Sequence, residues 1–302
     1  MSRYGAVTVP VRGGLLHVGR WSGDPSLAAS GTTQVPDPPV LAVHGVTAHH
    51  LSWGWLADEL PAREVVAPDL RGRGRSRELP GPWGMATHAD DLVAVLDALG
   101  HERAVLVGHS MGAFVALVTA HRHPDRCAGL VLVDGGPPLP MPPSMSPEEV
   151  AEAVIGPSLR RLDMRFEDHE AHRALWRAHP ALAGEWGPRM EAYADSDLCG
   201  SEPALASRTV REAVDADSRD LLVGADVARA QEVLDTPATL LVAEHGMTGE
   251  APPLYGAEVV ADLRRRRPRL RLERLDAVNH YTVVMGVGAR AVAASVRTVA
   301  TR

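Results

Sequence analysis

Lysine is missing from this 302-residue chain. All 31 basic residues are arginine, set against 38 acidic ones, for a formal net charge of −7. The acidic balance argues against nucleic acid or an anionic membrane as main partner; the missing lysine reads as a coding bias and carries no function. Cysteine is nearly as scarce. Cys127 and Cys199 are too few for a disulfide framework, and Cys127, leading into an apolar run, is expected to be a buried thiol. No stretch approaches the roughly 20 apolar residues that a membrane span needs. Met1 to Gly14 lacks the apolar segment and cleavage signature of a secretory leader. These absences lead us to expect a cytoplasmic protein, monomeric or homodimeric, that acts on a small molecule. With 45% hydrophobic and 23% charged residues, the composition is that of a globular protein. The length fits one large domain, or a core with an insert. The run Arg264–Arg267 reads as a solvated helix end.

What is present is an alternation. Val7–Val11 and Leu15–Trp21 are β-rich runs split by Gly13-Gly14, a hairpin signal. Ser22–Pro39 is loop. Val40–Val43, Glu64–Pro68, Arg103–Val107 and Leu130–Val133 then read as strands. Between them fall helical patterns over Trp53–Leu60, up to Leu99 and over Ser110–His121. Thr87 with Asp90 looks like the cap that starts the second of these helices, and Gly100 ends it. Strand and helix in turn, with short links, predict an α/β fold with a mostly parallel sheet flanked by helices. Ligands bind such sheets beyond the carboxyl ends of the strands. From Pro137 the alternation stops. Prolines 137, 138, 140, 142, 143 and 147 mark a loop, and Glu148–Leu234 shows helical patterns without a convincing strand. It resumes with Thr239–Ala243, a helix near Glu258–Arg265, the strand Leu270–Leu275 and a closing helix to about Val299. The expected organisation is a core of residues 1–136 and 234–302, with a helical insert over 137–233.

Gly108-His109-Ser110-Met111-Gly112 matches G-x-S-x-G directly after a strand and at the start of a helix. The pattern demands a tight strand-to-helix turn that lifts the serine hydroxyl above the sheet and places it at a helix N-terminus, where developing negative charge is favoured. Acyl transfer also needs two N–H donors aimed at the oxyanion. Met111 offers one, and Val46, in the loop after His44-Gly45, the other. Of the 14 histidines, only His280 lies just beyond a late strand, where a general base belongs in chain order.

Together, Val43-His44-Gly45, Pro68–Gly74, Gly108–Gly112 and Asn279-His280 resemble the α/β-hydrolase superfamily, in the branch with a helical cap after the sixth strand. The resemblance covers about Val40–Asp134 and Thr236–Arg302 and implies a serine hydrolase with Ser110 as nucleophile and no cofactor. It leaves Asp69–Ser76 a structural turn. Relatives that cleave haloalkanes or epoxides carry Asp in the elbow, and Ser110 argues against both. The third member of the triad stays open. The family's usual acid turn reads Glu244–Glu250 here and contains no Asp, so Asp134, Glu244 and Glu250 are all candidates, Asp134 first. The insert should cover the mouth of the site, with Met141, Met145, Met164, Trp176, Trp186 and Met190 suited to an apolar substrate or to the insert's own small core. Its His172 and His179 show no metal-ligand spacing. The expected reaction is hydrolysis of an ester, thioester or lactone of a small to medium, mostly apolar substrate. A carbon–carbon bond hydrolase, an acyltransferase and a non-catalytic ligand-binding member are the alternatives.

Overall fold

The hairpin forms around Gly13-Gly14. In the computed structural model, which describes residues 3–27, 37–140, 142, 144–182, 184–235, 238–249 and 252–300, β1 (Tyr4–Val11) pairs antiparallel with β2 (Gly14–Trp21). There follow β3 (Val40–Val43), α1 (Gly54–Glu59), β4 (Val65–Pro68), α2 (Met85–Leu99), β5 (Ala104–His109), α3 (Met111–Arg122) and β6 (Cys127–Val133). Residues between the sixth strand and the next sheet strand contribute α4 (Pro147–Leu162), α5 (His169–Arg177), α6 (Pro188–Ser196), β7 (Leu198–Cys199), β8 (Ala206–Ser207), α7 (Arg211–Val223) and α8 (Ala225–Ala230). The chain closes with β9 (Ala238–His245), α9 (Ala257–Arg266), β10 (Arg271–Asn279) and α10 (Gly286–Ala300).

Eight strands make one sheet in the order β1-β2-β4-β3-β5-β6-β9-β10. β2 meets β4 antiparallel, and every pair from β4 to β10 is parallel. The central strands are buried on both faces and therefore read as continuous apolar runs. One face packs on α2 and α3, through residues such as Leu92, Leu96, Phe114 and Leu117. The other packs on α1 and α10, through Leu56, Val292 and Val296. The chain steps from β3 to β4 on one side, then returns to β5 on the other. That reversal opens a crevice at the carboxyl ends of β3 and β5, and the loops carrying Val46 and Ser110 leave the sheet there.

Several expectations are corrected. Thr87 and Asp90 do not cap α2. The helix starts at Met85, and its first amides are taken by carboxylates of α7: Gly84 N–H donates to Asp217 Oδ1 at 2.6 Å and Met85 N–H to Asp220 Oδ2 at 2.7 Å. The segment expected to be purely helical holds a short ribbon, Leu198 pairing with Ser207 and Cys199 with Ala206, over a small cluster of Phe166, Leu198 and Leu205. Two-residue strands are too short for alternation to show. Cys127 is half-buried, not fully buried; its thiol is pushed up to about 11 by desolvation. Arg265 and Arg266, in the last turn of α9, are exposed and pair with Asp262. Residues 28–36 of the Ser22–Pro39 loop, Met141 and Glu250 lie outside the described residues. No helix among the described residues is long and apolar enough to cross a membrane.

Candidate active site

Ser110 sits between β5 and α3 with φ 53° and ψ −123°, a region that L-residues with side chains rarely enter. Tight packing forces it there. A Cβ on Gly108 would lie 2.1 Å from the Gly112 carbonyl oxygen, and one on Gly112 would lie 2.1 Å from that of Val43. Both flanking glycines of the pattern are therefore required by the backbone itself. Ser110 N–H donates to the Val133 carbonyl at 2.9 Å, which fixes the turn to the end of β6.

His280 follows β10 and is buried. Its Nδ1 donates to Asp134 Oδ2 at 2.7 Å. Asp134, the residue after β6, is fully buried, and its Oδ1 accepts the Ala243 N–H at 3.2 Å. Of the candidate acids among the described residues it is the one that meets His280. Glu244 instead accepts the Ala277 N–H at 2.8 Å, and Glu250 lies outside the described residues. With Nδ1 committed to the carboxylate, Nε2 is left as the basic nitrogen. The loop around His280 is held locally. Asn279 Oδ1 accepts the N–H groups of Tyr281 and Thr282 at 2.9 and 3.0 Å, and His109 Nε2 donates to the His280 carbonyl at 2.8 Å. Burial, with His280 alongside, drives His109 well below the usual imidazole range and keeps it neutral.

Val46 and Met111 are buried, and among the described residues neither N–H donates to a protein acceptor. The direction of the Val46 N–H is set by the other end of its own peptide. Gly45 C=O accepts from Ala48 N–H at 3.1 Å and from His44 Nδ1 at 2.7 Å. In a trans peptide the C=O and N–H point opposite ways, so holding the carbonyl aims the amide. His44 Nε2 accepts the Leu70 N–H at 3.0 Å, so Nδ1 carries the proton. Burial pushes this ring down to about 3, which keeps it neutral. The turn at Asp69–Ser76 contributes as well. Buried Arg73 donates from Nε to the Val46 carbonyl at 3.0 Å, from one guanidinium nitrogen to the Met111 sulfur at 3.9 Å, and pairs with Asp217. Sequence reasoning passed over the supporting roles of His44, His109 and Arg73, because each depends on which backbone carbonyl its side chain reaches.

Two narrow cavities, of about 40 and 50 Å³, meet at Ser110 and share Val46, Ile155 and His280. Trp176 and Met190 line the second; Met164 is exposed and lines neither. One group of potential metal donors is close enough to hold an ion among the described residues, His17, His50 and Asp69. It lies outside both cavities, and His50 and Asp69 already bond each other at 2.8 Å. Residues 38–185 match the family model described as the alpha/beta hydrolase fold. The chain is an α/β-hydrolase-fold protein. A solved structure, that of E-2-(acetamidomethylene)succinate hydrolase, superposes with a TM-score of 0.74 over 97% of this chain and 99% of its own, at 22% identity. Among curated relatives, a lipase of Mycobacterium tuberculosis (LipV) is 45% identical over 95 residues, 32% of this chain and 36% of the lipase. A putative carbamate hydrolase of Caulobacter vibrioides (RutD) is 53% identical over 98 residues, again 32% of this chain and 36% of the relative. The matched segment thus spans about a third of each relative.

Proposed function

We propose that this protein is a serine hydrolase that cleaves an ester, thioester or lactone of a small to medium, mostly apolar substrate through an acyl-enzyme on Ser110. The observation that carries the reading is the 2.7 Å bond from His280 Nδ1 to buried Asp134, beside a serine held above the sheet at positive φ. Ser110 Oγ attacks the carbonyl carbon and gives its proton to His280 Nε2. The oxyanion is received by the Val46 and Met111 N–H groups. As the tetrahedral centre collapses, the leaving oxygen or sulfur takes the proton from His280, and the acyl group stays on Ser110. Water, deprotonated by the same imidazole, then releases the acid and restores the serine. Residues 137–233 act as a lid that excludes bulk water.

Labelling by a fluorophosphonate and turnover of short-chain p-nitrophenyl esters test this reading. Ser110→Ala should abolish labelling and lower kcat by about 10⁴-fold or more, with His280→Ala close behind. Asp134→Asn should cost about 10²- to 10⁴-fold, while Glu244→Gln stays within about twofold of wild type. Full turnover in Asp134→Asn would remove Asp134 from the triad. A wild-type protein that neither labels nor turns over would favour the ligand-binding alternative.

A further inference from the structure

The two cavities have different walls. The second runs along the loop that carries His280, with Tyr281, Val284 and Met285 in its lining together with Thr47, Ser52 and Ser158. His280 lines both chambers, and the loop that carries it continues along this one alone, so the leaving group, which takes its proton from His280, is assigned to this chamber. The first chamber runs past Met111 and Phe114 to α4 and α7, where Val150, Val154, Leu221 and Leu222 close it. It receives the acyl group. Its lining is apolar apart from the reacting pair and one side chain, Ser218.

Ser218 is 5% exposed, and its Oγ has no hydrogen-bond partner among the described residues. A helical serine ordinarily bonds back to the carbonyl one turn earlier; this one does not. A buried hydroxyl without a partner costs stability, whereas alanine would complete the same apolar wall without that cost. Nor can the helix simply roll the hydroxyl away. Asp217, the residue before, holds Arg73, His88 and the Gly84 N–H, and Asp220 holds the Met85 N–H. The wall is clamped with Ser218 as its one polar residue apart from the reacting pair.

We infer that Ser218 determines specificity: the substrate's acyl group is an otherwise apolar chain or ring that carries one oxygen, as hydroxyl, ether or carbonyl, and this oxygen bonds to Ser218 Oγ. A hydroxyl donates and accepts, so it serves all three. Sites that hydrogen-bond a substrate oxygen discriminate strongly against the analogue lacking it, because their own polar group is then left unpaired. The inference rests on the acyl-transfer reading for its assignment of the two chambers.

The test compares p-nitrophenyl hexanoate with its isosteres bearing an ether oxygen at position 3, 4 or 5 of the acyl chain, and with the 6-hydroxy ester. For each, kcat/KM is divided by its rate of hydroxide hydrolysis, then by the same quotient for hexanoate. Wild type should favour at least one oxygenated ester. Ser218→Ala should lower that normalised preference about tenfold, and Ser218→Cys, a near-isosteric weak donor, should fall between. No preference in wild type for any member, or a preference unchanged within twofold in both variants, overturns the inference. Binding of the same esters to Ser110→Ala, alone and combined with Ser218→Ala, is measured by calorimetry in parallel. A Ser218-dependent preference in Kd without turnover by wild type would sink the hydrolase reading and leave the role of Ser218 standing. A turnover-competent enzyme indifferent to Ser218 would do the reverse.

Discussion

Ser110 carries both the proposed chemistry and a local conformational burden. At φ 53° and ψ −123°, a residue with a Cβ pays about 1–3 kcal/mol. Glycine adopts that region freely but loses about 0.5–1 kcal/mol of its own through chain entropy. Ser110→Gly should therefore melt about 1–2 °C above Ser110→Ala in differential scanning calorimetry, both being inactive. Equal melting temperatures would mean that the turn is unstrained. This residue was legible in the sequence because its constraint is local: two glycines and a small set of positions around one turn. His280 was legible from its place just beyond the last strand of the sheet. Asp134 could not be separated from Glu244 and Glu250, since the choice depends on where a side chain at the end of β6 meets one 146 residues further on. Ser218 gave no signal at all. Its meaning comes from being buried without a partner, which no local pattern encodes.

At the scale of elements, the junction of α2 with α7 ties the segment between β6 and β9 to a helix that packs on the sheet. Asp217 is fully buried and accepts from Arg73, from His88 Nε2 at 3.0 Å and from the Gly84 N–H at 2.6 Å. Burial works to raise this carboxyl, but His88 and Arg73 outweigh it and hold it at about 2. Because the folded value lies below the unfolded one, this contribution is present above about pH 4 and fades as pH falls towards 2. Asp217→Asn leaves the Arg73 cation buried without its counter-charge and should cost about 3–5 kcal/mol in urea unfolding. A loss under 1 kcal/mol would mean that water or another acceptor replaces the carboxylate. The strands and most helices could be read from periodicity, since each buries a face set by its own residues. The true start of α2 could not, because the groups that cap it belong to a helix more than a hundred residues away.

Over the whole molecule, neutral buried imidazoles set the response to acid. Burial lowers His44 to about 3 and His49 to about 4, and takes His109 well below its usual range. In the unfolded chain all three take a proton near pH 6.5, whereas in the folded protein they resist it. Stability therefore falls as pH drops below about 6.5, by about 1.4 kcal/mol per pH unit for each ring once the unfolded form is fully protonated. Urea unfolding at pH 7.5, 6.0 and 5.0 should show this decline well above the carboxylate range. A flat profile would mean that these rings protonate in the folded state. The glycine contacts around Ser110 have a different consequence at this scale. A methyl group at Gly108 or Gly112 would strike backbone, so the reacting centre admits almost no variation. The chamber residues of α4 and α7 are side chains on helices outside that turn, Val154 and Leu221 also packing against the core. The molecule is thus divided into an engine that heredity must copy unchanged and a mould that it can recast. Libraries that randomise Val150, Val154, Leu221 and Leu222 are the economical route to new substrates.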